Sequence, residues 1–187
     1  MPRVAVLLTP GFADWEYAPL AGAGRGYFDL DVGFFGPDPA VSMGGLSATG
    51  LAPFEDVAAF KPDVIAVIGG TIWETDEAPD ISTLLKTGPT IAGICGGTLA
   101  LARAGLLDTA PHTSNAADYL TAHAPAYAGS DAYLESAIAV TAPQLITASG
   151  TAPISFAAAV FDAAGVPSDQ IAQFRAMMAA EHQKDLA

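Results

Sequence analysis

Apolar residues in this chain fall into short continuous runs, separated by polar or amphipathic stretches. The runs cover residues 4–8, 30–35, 63–68, 90–94 and 145–148. A continuous apolar run of about four to eight residues is typical of a strand buried on both faces of a sheet. We therefore predict five core strands, with helices or turns between them.

The segments between these runs predict the other elements. Helices are expected from Asp14, as an N-cap residue, and at 80–87, 98–104, 154–164 and 168–183. A hairpin is expected at 41–49 with its turn at Gly44-Gly45, and a hairpin-like pair at 132–140 and 145–148. Strands that alternate with helices indicate an α/β fold whose mostly parallel sheet carries helices on both faces. With 187 residues, one domain over 1–187 is expected.

Composition narrows the classes of partner. The net charge of −13 would repel phosphate groups, so we expect neither nucleic acid nor an anionic membrane as a partner. No apolar stretch has membrane-spanning length. The single cysteine has no partner for an internal disulfide, and the first residues lack a signal-peptide pattern. A cytoplasmic location follows as the expectation.

Motifs for cofactors and metals are missing from the sequence. The glycine pairs do not form a dinucleotide-binding fingerprint, and no Walker lysine pattern is present. No spacing of His, Cys and carboxylate residues indicates a metal site. We expect no cofactor and no metal.

The stretch 90–104 carries the main chemical signal, because the apolar strand 90–94 stops at the only cysteine, Cys95. Gly96 and Gly97 follow, and an alanine-rich helix then begins. A nucleophile at such a strand-to-helix turn has a strained backbone and a side chain that points outward. The helix N-terminus favours a thiolate, so we predict a pKa for Cys95 below the roughly 8.5 of a free cysteine. The alternative is an inert, buried thiol that only fills space.

Four segments resemble one known group of proteins. They are residues 11–16 (GFADWE), 66–70 (AVIGG), 92–97 (AGICGG) and 145–156 (LITASGTAPISF). In this order and spacing the chain resembles the ThiJ/PfpI superfamily, which includes the Parkinson-disease-associated deglycase and is related to class I glutamine amidotransferases. The resemblance implies a flavodoxin-like three-layer sandwich, a homodimer, and a nucleophilic cysteine at Cys95.

The resemblance also implies roles for other residues. Glu16 matches an acid that hydrogen-bonds the thiol, and burial near Cys95 would raise its pKa. The alternative for Glu16 is a solvated charge in a first helical turn. The amides of Gly70 and Gly96 match oxyanion-hole donors, although both glycines also suit tight turns. His112 lies where deglycase-like members carry a histidine near the cysteine, and its alternative is a turn histidine bonded to backbone.

Three further residues are expected in or near the pocket. Asp14 is a cap by preference, although relatives with hydratase activity use an acid in this region. Trp73 either covers the pocket or packs in the core, and Thr98 follows the two glycines.

Histidine positions separate the branches of the superfamily. The protease-like members have a histidine directly after the nucleophile, where this chain has Gly96. The amidotransferases use a late His-x-Glu, whereas His182 is followed by Gln183 and Lys184. These departures count against peptidase and glutaminase activity.

Three functions remain open from the sequence. The first is a small-molecule enzyme in which Cys95 attacks covalently and Glu16 is the acid–base partner, of amidase, glyoxalase, deglycase or hydratase type. The second is a non-catalytic redox or stress sensor that works through oxidation of Cys95. The third is a binding protein with a relic pocket.

Overall fold

The computed structural model describes residues 1–180, which form a six-stranded sheet and a separate hairpin. The strands are β1 (Arg3–Leu7), β2 (Asp31–Phe35), β3 (Ala40–Val41), β4 (Ser47–Ala48), β5 (Val64–Val67), β6 (Thr90–Ile94), β7 (Val140–Ala142) and β8 (Leu145–Ala148). The large sheet has the order β2-β1-β5-β6-β8-β7, and only the β7–β8 pair is antiparallel. All five predicted core strands are present, with ends within one residue of those expected.

Helices cover both faces of the large sheet. They are α1 (Asp14–Tyr27), α2 (Val57–Phe60), α3 (Gly97–Arg103), α4 (Ala117–His123), α5 (Pro153–Ala163) and α6 (Ser168–Ala179). Buried residues of α1, α5 and α6 form one core cluster, and those of α2, α3 and α4 form the other. This confirms the predicted three-layer α/β sandwich.

The strand pattern explains why both faces are buried. Along β1, Val4 and Val6 join one core cluster, while Ala5 and Leu7 join the other. Successive side chains of a strand point to opposite faces, so a continuous apolar run supplies both cores at once. Because β1, β5, β6 and β8 are parallel neighbours, their carboxyl ends meet at one edge of the sheet, where ligands of such folds bind.

Three local predictions are wrong. Asp14 is the first residue of α1 rather than its cap, since Ala13 is the cap residue and no side chain caps the helix. The predicted helix at 80–87 is reduced to a 3₁₀ turn at Leu84–Lys86. Before this turn, the Asp80 carboxylate accepts a hydrogen bond from the Ser82 amide, which competes with helical hydrogen bonding. The predicted strand 132–140 is mostly irregular, because the amide of Leu134 bonds to the His112 carbonyl instead.

Other elements lie outside the sequence predictions. Helices α2 and α4 were not predicted, and both are short. Residues 181–183 of the predicted last helix, and with them His182, lie outside the described residues. Between residues 1 and 180, no helix is both long and apolar enough to cross a membrane.

Candidate active site

Cys95 occupies a strained turn at the end of β6. Its φ is +54°, in the left-handed region that a residue with a Cβ rarely adopts. The Cys95 amide donates to the Ala148 carbonyl at 2.9 Å, and the Thr98 amide donates back to the Cys95 carbonyl at 3.1 Å. A side chain at Gly97 would overlap the Val67 carbonyl, so a glycine is required there. The predicted strand-to-helix elbow is confirmed, with a half-buried thiol at its tip.

Glu16 lies in the first turn of α1 and is fully buried. Its Oε2 accepts a hydrogen bond of 2.7 Å from the Gly69 amide, while its Oε1 has no hydrogen-bond partner among the described residues. Burial raises the pKa of Glu16 to about 7, against the smaller opposing effects of the hydrogen bond from Gly69 and of the nearby Cys95 thiol. The carboxyl group therefore exchanges its proton near neutral pH, as a general acid or base requires.

Two glycines bring Glu16 and Cys95 together. A Cβ placed on Gly69 would lie 2.8 Å from the Cys95 Cβ and 3.0 Å from Glu16 Oε1. A Cβ placed on Gly150 would lie 2.9 Å from the Cys95 Sγ and 3.2 Å from the same Oε1. The unpartnered carboxyl oxygen and the sulfur thus border the same small space, which exists because neither glycine has a side chain.

The structure does not support the predicted low pKa of the thiol. Burial, followed by the negative charge of Glu16, raises the pKa of Cys95 to about 11. Hydrogen bonds from Asn115 and from the Gly96 amide act in the opposite direction and are weaker. The sequence pointed to the helix N-terminus, but it did not reveal how deeply the sulfur is buried or that a carboxylate lies beside it. At neutral pH the pair is a thiol next to a titrating carboxyl group.

The two glycine amides expected in an oxyanion hole are close to each other. A Cβ on Gly96 would lie 3.1 Å from the Gly70 carbonyl oxygen and 3.3 Å from the Gly70 nitrogen. The antiparallel bridge between Phe12 and Gly70 uses the amides of Ala13 and Thr71, so it leaves the Gly70 amide free. The two residues expected in an oxyanion hole are therefore neighbours, and the Gly96 amide also bonds to the Cys95 sulfur.

Asn115 is part of the site, and the sequence analysis did not single it out. Its Nδ2 donates to the Cys95 Sγ at 3.2 Å, and its Oδ1 accepts from the Gly150 amide at 3.0 Å. On the other side of Gly150, the Trp15 indole donates to the Gly150 carbonyl at 3.1 Å. Asn115 is the only asparagine in the chain, which is the one signal that the sequence offered.

The structure does not place His112 in contact with Cys95. The imidazole is fully buried, with Nδ1 2.7 Å from the Ala110 carbonyl oxygen and Nε2 2.7 Å from the Tyr127 hydroxyl. Tyr127 and Tyr133 also contact the ring edge-on. Both nitrogens are occupied, so the predicted catalytic role of His112 is not supported. Its alternative, a histidine satisfied by its surroundings, describes it.

The three further residues expected in the pocket form hydrogen bonds to groups other than the Cys95 sulfur. The Asp14 Oδ2 accepts from the Gly44 amide at 2.8 Å, and hydrogen bonds from Ser42 and Gly44 lower the pKa of Asp14. Trp73 is fully buried, and its indole donates to the Ile68 carbonyl, so it is a core residue. The buried Thr98 hydroxyl bonds to the Cys95 carbonyl and to Ser114 Oγ, both at 2.6 Å.

Tyr119 and Glu74 lie near the site on the α4 side. The Tyr119 hydroxyl donates to Glu74 Oε1 at 3.0 Å. Burial is the largest cause that raises the pKa of Tyr119, followed by Glu74, and the charges of Cys95 and Glu16 act on it as well. The neighbourhood of the sulfur is therefore acidic. Among residues 1–180, no three His, Cys, Asp or Glu side chains are grouped to hold a metal ion.

A buried acid and a cysteine elbow at the carboxyl edge of a parallel sheet define a class of α/β proteins with a nucleophile-type site. Comparison with known proteins gives the same class. The family model of the DJ-1/PfpI family matches residues 2–163, and this chain belongs to that family.

Bacterial relatives support the assignment over most of the chain. A protein of Bacillus subtilis named as the uncharacterised protease YoaZ is 36% identical over 162 residues, which cover 79% of this chain and 76% of that protein. A second, the uncharacterised protease YdeA of the same organism, is 32% identical over 159 residues, or 83% and 80% of the two chains.

Solved structures support the fold. A DJ-1 superfamily protein from Agrobacterium tumefaciens has a TM-score of 0.90 and 35% identity, covering 98% of this chain and all of the other. The DJ-1beta structure of Drosophila melanogaster has a TM-score of 0.72 at 20% identity, covering 95% and 97% of the two chains, and supports the fold alone.

Proposed function

We propose that this protein is a cysteine-dependent enzyme that attacks the carbonyl, amide or isonitrile carbon of a small molecule, in the manner of an amidase, glyoxalase, deglycase or hydratase. One observation carries the proposal. The buried carboxyl of Glu16, whose pKa burial raises to about 7, has an unpartnered oxygen facing the same space as the Cys95 sulfur. A structural carboxylate has no need of such an arrangement.

The first step is a proton transfer coupled to attack. Because the pKa of Cys95 is raised to about 11, the sulfur is protonated at neutral pH. The ionised Glu16 takes the proton from Sγ as the sulfur electron pair forms a bond to the carbonyl carbon. The carbonyl π electrons move to oxygen, and we assign the amides of Gly70 and Gly96 to the stabilisation of the resulting oxyanion.

The second step returns the proton. Glu16, now protonated, gives its proton to the oxyanion of a thiohemiacetal or to the amine that leaves an amide. In the amide case, water then hydrolyses the thioester, and the departing sulfur regains a proton. In the case of an aldehyde with an adjacent carbonyl, Glu16 moves the C–H proton of the thiohemiacetal to the neighbouring carbon, which gives a thioester that water hydrolyses in the same way. The reaction uses no redox equivalent, and Glu16 ends in its starting form after each cycle.

The histidine positions count against a protease mechanism, although the Bacillus relatives are named as uncharacterised proteases. The residue after the nucleophile is Gly96, and both nitrogens of His112 are occupied by Ala110 and Tyr127. Among residues 1–180, no imidazole is hydrogen-bonded to the Cys95 sulfur, whose side-chain donor is Asn115. This favours small substrates that Glu16 alone can serve.

A redox sensor is the second candidate. The same unpartnered Oε1 of Glu16 is suited to hold an oxygen of an oxidised Cys95, as a protonated carboxyl that donates to a sulfinate. Stoichiometric oxidation of Cys95 at low peroxide, without turnover of any electrophile, would favour this function.

We also propose that the protein forms a homodimer. Trp15 of α1 and Val41, Met43 and Leu46 of the β3–β4 hairpin are large apolar residues that are about half exposed. The hairpin is fixed to α1 through the Asp14 bond to the Gly44 amide. An apolar surface of this kind is typical of an interface between copies. Sedimentation that finds only monomer at micromolar concentration would contradict it.

The test of the main proposal is a turnover screen. Methylglyoxal, isonitriles, glutamine and peptides are offered to the protein and to Cys95→Ser, whose weaker nucleophile should abolish turnover. We expect one small carbonyl compound or isonitrile to be consumed by the unsubstituted protein only. Turnover that survives in Cys95→Ser would refute covalent catalysis.

A further inference from the structure

The carboxamide of Asn115 contacts the sulfur in one fixed orientation. The Gly150 amide is a donor only, so the atom of Asn115 that faces it at 3.0 Å must be the acceptor Oδ1. The atom facing the Cys95 sulfur at 3.2 Å is then Nδ2, which can only donate. Rotation of the amide by 180° would set two donors against each other at Gly150. In this arrangement the atom of Asn115 that faces the sulfur is a hydrogen-bond donor.

Three separate parts of the chain hold this arrangement. Asn115 precedes α4, Gly150 follows β8, and Trp15 belongs to α1. The peptide groups on either side of Gly150 are fixed by Asn115 at the amide and by Trp15 at the carbonyl. A side chain at Gly150 would approach the sulfur to 2.9 Å, so the Gly150 backbone borders the sulfur closely. Asn115 is thus held in place at the reacting atom.

We propose that Asn115 is a catalytic residue, and that its uncharged amide stabilises the Cys95 thiolate as Glu16 removes the proton. This inference rests on the proposed role of Cys95 as the nucleophile. A hydrogen bond to a charged acceptor is markedly stronger than one to a neutral acceptor, so the amide binds the thiolate more tightly than the thiol. Asn115 neither gains nor loses a proton, and Glu16 remains the group that exchanges it. The amide supplies the stabilisation that an imidazolium supplies in other cysteine enzymes.

The experiment measures alkylation of Cys95 by iodoacetamide as a function of pH. Since the chain has one cysteine, the mass of the whole protein reports that residue alone. Asn115→Asp keeps an acceptor for the Gly150 amide but has no donor for the sulfur, and Asn115→Ala has neither. We expect both to alkylate about tenfold to a hundredfold more slowly at pH 8, with the midpoint of the pH profile moved upward. Ala117→Asp adds the same charge at an exposed neighbouring position and should stay within about twofold.

Equal alkylation rates and midpoints in Asn115→Asp, Asn115→Ala and the unsubstituted protein would overturn the inference. If Asn115→Asp and Ala117→Asp slow alkylation equally while Asn115→Ala does not, the effect comes from charge alone and the inference is overturned. If Asn115→Ala does not fold, Asn115→Asp decides, because it retains the Gly150 contact. Failure of the turnover screen counts against the proposed function only, since alkylation needs no substrate.

Discussion

Glu16 and His112 are both fully buried titratable side chains, and they differ in how their polar atoms are satisfied. Both nitrogens of His112 have partners at 2.7 Å, and two tyrosine rings contact the imidazole. In Glu16 only Oε2 has a partner, the Gly69 amide, and Oε1 faces the space beside the Cys95 sulfur. Both ring nitrogens of His112 are therefore used in structural hydrogen bonds, whereas one carboxyl oxygen of Glu16 is free to take part in a reaction.

The difference teaches that burial by itself does not mark a functional group. A buried polar atom without a partner costs stability, so it persists where something else requires it. Within residues 1–180, three buried side-chain atoms lack partners: Glu16 Oε1, Thr9 Oγ1 and Thr113 Oγ1. Glu16 is the titratable member of this set, and the one whose free atom borders the cysteine.

The largest expected effect is on turnover. Glu16→Gln keeps an acceptor for the Gly69 amide but removes the exchangeable proton, so kcat/KM should fall by about a hundredfold to ten-thousandfold. His112→Gln should change kcat/KM by less than about fivefold, as its ring does not contact the sulfur. Both are assayed at pH 7 on the substrate found in the screen. In the Cys95→Ser background, adding Glu16→Gln should cost almost nothing more, because groups that act as a unit are non-additive.

The next largest effect is on the free energy of unfolding, which should fall when His112 is substituted even though turnover changes little. His112→Ala leaves the Tyr127 hydroxyl and the Ala110 carbonyl without partners and opens a cavity. The free energy of unfolding should therefore drop by about 2–4 kcal/mol. Urea denaturation at pH 7 measures it. His123→Ala, at the partly exposed end of α4, is the matched control and should lose less than about 1 kcal/mol. If His112→Ala also loses less than about 1 kcal/mol, the distinction drawn between His112 and Glu16 is wrong.

The pH dependence of stability should single out Glu16. Its pKa rises from 4.5 to about 7 on folding, so the folded state keeps a proton that the unfolded chain releases. Stability from this group is fully present below about pH 4.5 and is lost as the pH rises through 7. The glutamine side chain of Glu16→Gln does not ionise. The free energy of unfolding of this variant, relative to that of the unsubstituted protein, should therefore increase by about 2–3 kcal/mol as the pH rises from 5 to 8. If the two free energies of unfolding differ by the same amount at pH 5 and at pH 8, the pKa of Glu16 is not raised on folding.

The smallest effect concerns Thr113, which lies next to His112 and also has an unpartnered atom. Thr113→Val removes a buried hydroxyl without a partner, so the free energy of unfolding should stay equal or rise by about 1 kcal/mol or less. Alkylation of Cys95 should not change. A loss of Cys95 reactivity would place Thr113 in the site and weaken the distinction drawn for Glu16.

The sequence predicted the five core strands and the elbow well, because continuous apolar runs and the Cys-Gly-Gly step are local signals. It failed where local signals compete with distant partners. The segment 132–140 looked like a strand, yet Leu134 bonds to the His112 carbonyl. Asp14 looked like a helix cap, yet its carboxylate accepts from Gly44 of the hairpin. In each case a residue far along the chain decided the outcome.

The sequence by itself determined the layered α/β architecture, since continuous apolar runs mark strands buried on both faces. Four motifs in a fixed order carried the resemblance to the family, and that resemblance implied the pairing of Cys95 with Glu16. Only the tertiary structure decided the chemical state of that pair. Burial, which raises the pKa of both groups, depends on α1, Gly69 and Gly150 packing around the sulfur. It also decided that Asn115, and not His112, contacts Cys95. Both residues follow α3 by similar distances, and a difference of three residues along a loop has no signature in the sequence before the loop has folded.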